Sequence, residues 1–264
     1  MVMLILDVTT YHNNIGNCMK GNSVVSTTLC ALLSGGAIAG SMGPVAMQNT
    51  VMTLTVGPAW QNGGMSQTLY LANGIEKRYI SDDKTRALAF GELFYGYEHT
   101  INSLLMAQFG VAAAVTSDAT LSGDIWDDGD VRFDNLAYSY KVNHARVAVK
   151  AKLLGHNSGK VMPYISGSIG VGINRAHEFS NTPKIFEAVP NANFTGRTKA
   201  SLAYTLGVGM ERVLNDYWRV GAGYEFADWG KSQLGAAFGQ TTGRGLALNH
   251  LYTNGFALSA SVKG

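Results

Sequence analysis

His177, Glu178 and Ser180 place a base, a carboxylate and a hydroxyl within four residues, the side-chain types that acyl transfer uses. Ser/His catalysis is decided by geometry, however, and a base and hydroxyl three residues apart in a connecting loop do not supply it. The expectation is therefore a protein without catalytic residues, with these three as the weak candidates for an enzyme. Asp124, Asp127, Asp128 and Asp130 offer oxygen ligands to a hard cation. Their spacing does not follow the twelve-residue calcium loop, and the terminal acidic ligand is missing. They read as a solvated acidic loop, and no metal site is expected. The glycines from Gly167 to Gly172 lack the lysine of a phosphate-binding loop and precede no helix, so no nucleotide or other cofactor is implied.

A second set of charges is more regular. Glu92, Arg146, Lys150, Glu211, Arg219 and Glu225 each fall in a segment of alternating side chains, on the row opposite the aliphatic one. If those rows face an enclosed interior, the six form an internal ionic network, because each buried ion needs a partner. Trp60, Tyr95, Trp218, Tyr224 and Trp229 are expected to be anchors at a membrane surface, where an aromatic ring with a polar edge is at home.

The segments that carry these residues are short runs of period two. They lie at residues 51–60, 86–98, 105–115, 138–153, 162–174, 201–211, 218–226 and 252–262. Pro58 removes a ladder donor and is expected at a strand end or bulge. The connections run long, short, long, short, long, short, long. In the first of them, residues 67–71 are expected to extend a hairpin above the membrane. Alternation alone also suits a soluble sandwich; the connection rhythm, even strand count and export signal favour a membrane-spanning sheet. The expected fold is all-β, an eight-stranded antiparallel transmembrane β-barrel occupying residues 40–264. An interior of that width is filled by side chains, so the lumen is expected to be plugged.

Composition agrees. The chain has 264 residues, 46% hydrophobic, with 32 Gly and a formal charge of +2, and no Lys/Arg block suited to nucleic acid. Residues 19–39, with Lys20 before an apolar stretch and a small-residue site near Ala39, read as a secretory signal. Residues 1–18 then read as a spurious extension upstream of a start at Met19. Cys18 and Cys30 both precede the cleavage site, so the mature chain has no thiol.

Five segments carry a family resemblance: Ser122-Gly-Asp-Ile-Trp-Asp-Asp128, Tyr140-Lys-Val-Asn-His144, Pro163-Tyr-Ile-Ser-Gly-Ser-Ile-Gly-Val-Gly-Ile-Asn-Arg-Ala-His177, Phe226-Ala-Asp-Trp-Gly-Lys-Ser-Gln-Leu-Gly235 and Leu251-Tyr-Thr-Asn-Gly255. Together they resemble the small outer-membrane β-barrels of Gram-negative bacteria, of the OmpA-like and opacity-type plan. The resemblance implies an integral surface protein of the bacterial outer membrane, exported by its signal and inserted by the outer-membrane assembly machinery. Its partners would be membrane lipids and lipopolysaccharide, with an extracellular ligand unidentified, no nucleic acid and a monomeric state. A structural or surface-interaction role is implied. The alternatives are a lipid A hydrolase, whose His and Ser-Asn elements His177 to Asn181 faintly resemble, and a narrow small-solute pore.

Overall fold

A computed structural model describes residues 49–155 and 160–264. The expected leader, upstream extension, both cysteines and residues 156–159 of the turn after Gly155 lie outside the described residues. Thirteen strands follow in chain order: β1 (Thr50–Gln61), β2 (Gln67–Ala72), β3 (Ile75–Ser81), β4 (Arg86–Asn102), β5 (Leu105–Thr116), β6 (Ala119–Asp127), β7 (Asp134–Gly155), β8 (Val161–Pro183), β9 (Arg197–Val213), β10 (Trp218–Asp228), β11 (Ser232–Gln233), β12 (Ala247–Leu248) and β13 (Tyr252–Lys263). A 3-10 turn spans Val131–Phe133. No described helix is long and apolar enough to cross a membrane.

Eleven strands form one antiparallel sheet in the order β2-β3-β6-β7-β5-β4-β1-β13-β10-β9-β8, and β8 also pairs with β7. β11 and β12 form a separate pair. This overturns the expected eight-stranded barrel: the described residues form thirteen strands, and the main sheet has eleven. The difference lies in segments whose sequence reads as connection. β2 and β3 pair within the first long connection, where the 67–71 hairpin was expected to begin. β6 occupies the acidic loop and pairs with both β3 and β7. It follows β5 after only Ser117 and Asp118, and both pair with β7 in registers offset by one residue. That two-residue break, with its polar residues, hides the continuation from a periodicity argument.

The long strands are β-branched and aromatic on one row and small or polar on the other, the composition that favours pleated structure. Pro58 lies inside β1, not at its end. Its β4 side is paired throughout, opposite Ala89, whereas the ladder to β13 is interrupted at Gly57 and Pro58. The missing N–H thus falls on a gap. Gly57 is required there, because a Cβ would lie 1.8 Å from the Phe256 carbonyl oxygen.

Candidate functional site

β7 and β8 show how the molecule is built. In the second half of β7, the row Ala145, Val147, Val149, Ala151 and Leu153 faces outward, while His144, Arg146, Ala148, Lys150 and Lys152 are buried. In the first half the chemistry is exchanged. Asn135, Ala137, Ser139, Lys141 and Asn143 face outward, and Leu136, Tyr138, Tyr140 and Val142 are buried. β8 repeats the exchange at the matching rung. Ala145 pairs with Ile173 on the apolar side, and Asn143 pairs with Arg175 on the polar side.

Charges on the buried row beside the second half of β7 sit in three groups. Glu92 accepts from Arg146 Nη2 at 2.7 Å and from Lys150 Nζ, with Glu225 3.8 Å from Arg146 and 3.5 Å from Lys150. Lys152 Nζ donates to Glu211 Oε1 at 2.6 Å. Arg219 grips Glu98 with both terminal nitrogens, Nη2 to Oε1 at 2.7 Å, and Gln108 Nε2 donates to the same carboxylate at 2.9 Å. Lys263 Nζ stands 3.4 Å from Glu98. Of the six charges expected in one network, four form the central group, and Glu211 and Arg219 belong to separate pairs. Their partners Lys152 and Glu98 share the buried row, a signal visible in the parity of the sequence. Which base meets which acid depends on register between distant strands.

Apolar residues are buried to either side of these charges along the strands. Met106, Leu154 and Met162 cluster at one end, with Tyr164 and Val213 against them. At the other end lies Trp229, which corrects its expected place at the membrane surface: it is only 1% exposed. After β10 the chain turns inward, with Gly230 at φ +82°, and Asn174 Nδ2 donates to the carbonyls of Trp229 at 2.8 Å and Lys231 at 2.9 Å. The indole lies over the Arg146 guanidinium, 4.7 Å from centroid to Cζ, and donates from Nε1 to Thr253 Oγ1 at 2.9 Å. Trp60, Tyr95, Trp218 and Tyr224 are exposed on the outer face. Interior cavities lined by Glu92, Lys150 and Lys152, and by Tyr164, Lys150 and Glu225, are each about 10 Å³. That is room for about one water.

Beside the first half of β7 the core is an ordinary apolar one. Tyr79, Tyr138, Phe179 and Phe194 pack together, with Phe179 and Phe194 edge to face at 4.8 Å. Burial pushes the phenols of Tyr79, Tyr138 and Tyr140 well above the usual tyrosine range.

His177, Glu178 and Ser180 lie within β8, not in a loop. Glu178 has φ +54°, at an irregularity in the pairing with β7 between Ser139 and Lys141. His177 faces Asp118 at 3.4 Å, Asn143 at 3.3 Å and Glu178 at 3.3 Å. Ser180 Oγ instead shares a hydrogen bond of 3.1 Å with Ser139 Oγ. Glu178 is bonded to Lys141 at 2.7 Å, which holds its carboxyl below the usual range. The geometry gives no base-to-nucleophile contact among the three.

The aspartates are likewise separated. Asp127 pairs with Lys77 at 2.5 Å, Asp124 with Lys184 at 2.7 Å, and Asp130 with Arg132 at 2.5 Å. Asp128 is a turn residue at φ +52°. Among the described residues no group of three His, Cys, Asp or Glu side chains could hold a metal ion.

No family model matches the chain, and no curated protein matches it. Solved structures do. The chain is similar to the outer membrane protease OmpT from Escherichia coli, with 7% identity, TM-score 0.48, and 83% of this chain and 98% of that one covered. It is similar to Neisserial surface protein A, with 10% identity, TM-score 0.41, and 81% and 96% covered. The outer membrane protein OprG from Pseudomonas aeruginosa gives 11% identity, TM-score 0.41, and 80% and 96% covered. None of these likenesses carries a residue's role across to this chain.

Proposed function

We propose that the chain is an integral outer-membrane protein with a sealed, non-conducting interior, and that its work is done by the folded portion standing above the bilayer. The observation that carries this reading is the exchange of polar and apolar rows within single strands. A sheet in water hides its apolar row. From Ala145 to Leu153 the apolar row is outside and the charges are inside, which suits lipid. The segment is nine residues long, residues 145–153, against the 9–11 a strand needs to cross a bilayer. Over these residues β7 is paired on both sides, with β5 and with β8, so its backbone groups are satisfied without water.

Sealing follows from the paired charges, the apolar residues buried to either side of them and the one-water cavities. A non-enzymatic surface role is supported by the separation of Ser180 from His177. The folded protein in planar bilayers should show no steps comparable to those of a general porin. Steps of that size would overturn the sealed interior.

A further inference from the structure

Resting on the reading that the portion above the bilayer does the work, we infer that its far tip is a docking site for a partner polypeptide, a segment whose apolar anchors are flanked by Lys or Arg. The seat is formed by the turns at residues 131–133 and 185–189.

These two turns leave the sheet side by side. Leu136 on β7 pairs with Pro183 on β8. One rung further, Lys184 donates from its backbone N to the Asn135 carbonyl at 2.7 Å and from Nζ to Asp134 Oδ1 at 2.7 Å. Beyond that rung the large apolar side chains Val131, Phe133, Ile185, Phe186 and Val189 are all exposed, Phe186 to 99% and Val189 to 79%. Apolar side chains left bare in such number mark a site of interaction.

Both turns are held in place. In the first, Phe133 N donates to the Asp130 carbonyl at 3.0 Å and Arg132 N to Asp130 Oδ1 at 2.9 Å. In the second, Ala188 N donates to the Ile185 carbonyl at 3.3 Å, and the Ala188 side chain packs against the apolar core. An aromatic presented on a fixed turn loses little backbone freedom on binding, which suits it to anchor an interface.

Charge selects the occupant. Acids outnumber bases across residues 124–134 and 184–189, and the bases are already taken: Arg132 by Asp130, Lys184 by Asp124 and Asp134. Asp128 and Glu187 have no ion-pair partner among the described residues, and neither has Glu76, whose carbonyl accepts from Asp128 N at 3.1 Å. The apolar seat therefore has an acidic rim. Such a rim repels polyanions, sets acid against acid between two copies of the chain, and attracts a basic partner. The bilayer that holds the chain is out of reach. Nine residues part Asn143 from Asp134, where β7 begins, about 30 Å along the strand at ~3.3 Å per residue. At a strand tilt near ~45° this is about 21 Å along the membrane normal.

The test uses the folded full chain in phosphatidylcholine nanodiscs, with empty nanodiscs as background and insertion read by protease protection. The probes are two short fluorescent peptides, one in which Lys alternates with Leu and Phe and one with Glu in place of every Lys, and binding is read by anisotropy. The Lys peptide should bind about tenfold more tightly than the Glu peptide, a gap that narrows as salt is raised. Phe186→Ser with Val189→Ser should weaken Lys-peptide binding by about tenfold, as loss of an interface anchor predicts. Asp128→Asn with Glu187→Gln should weaken it by about fivefold and flatten its salt dependence. Equal binding of the two peptides, or binding of neither, overturns the basic partner. An inserted protein whose affinity for the Lys peptide is unchanged by the Phe186 and Val189 substitutions overturns the site while leaving the membrane reading intact. Pairing of the wild-type chain that Phe186→Ser abolishes puts a second copy on the tip and overturns the assignment as well. A chain that does not insert overturns both readings.

Discussion

Glu92 is the carboxylate on which two buried cations converge, so its removal leaves Arg146 and Lys150 sharing only the more distant Glu225. Glu92→Leu should destabilise the folded protein by about 3–5 kcal/mol, the usual cost of stranding a buried charge. Replacing both members of the Lys152–Glu211 pair, as Lys152→Met with Glu211→Leu, should be close to neutral, because the desolvation of both ions is relieved together. Reversible urea unfolding of the membrane-inserted protein measures both; a Glu92→Leu cost no larger than that of the double variant would contradict the account. At this scale the sequence was partly legible. Buried charges could be picked out by their parity with Glu92 and Lys150, but partner choice could not, since Arg219 and Glu98 lie 121 residues apart. Trp229 was misplaced for a related reason: nothing in Asp228-Trp-Gly230 announces that Asn174 pulls the following turn into the interior.

At the scale of elements, β7 is the informative one, because a single extended strand meets two surroundings. An Arg replacing Val149 on the lipid-facing row should cost about 2–4 kcal/mol, whereas Ser139→Arg, on the same row above the border, should cost about 0–1. Unfolding midpoints of the two variants in the same vesicles decide this; equal costs would place both residues in one environment. The eight longest strands were visible from periodicity because each keeps its alternation over many residues. The shorter strands were not. β6 has the alternation Leu121, Gly123, Ile125 against Ser122, Asp124, Trp126, but its buried row is short and is interrupted by a glycine, and Asp118, Asp124, Asp127 and Asp128 in and around it make the segment read as loop. β11 and β12, two residues each, carry no periodicity at all. The far end of β8 was missed because the rows change identity at Arg175, and a rule that assigns the apolar row to one face stops at that rung, whereas on β7 the expected strand already ran past Asn143 to Tyr138 and lacked only residues 134–137 at that end.

On the membrane reading proposed above, one continuous sheet stands partly in lipid and partly in water, with its interior chemistry reversed accordingly. Below the border the enclosed residues are ionic and paired; above it they are Tyr79, Tyr138, Phe179 and Phe194, an ordinary apolar core. Above the border the outward row of β7 carries Asn135, Ser139, Lys141 and Asn143, while Phe186, Val189 and Phe238 are exposed on the segments that connect the strands. The most direct measurement is aqueous labelling of single cysteines along the outward row of β7, in a chain carrying Cys18→Ser and Cys30→Ser and inserted into vesicles with the upper portion outside. Ala137→Cys, Ser139→Cys and Asn143→Cys should react with a membrane-impermeant maleimide, and Val147→Cys, Val149→Cys and Ala151→Cys should not. Uniform labelling along the whole row would contradict the account.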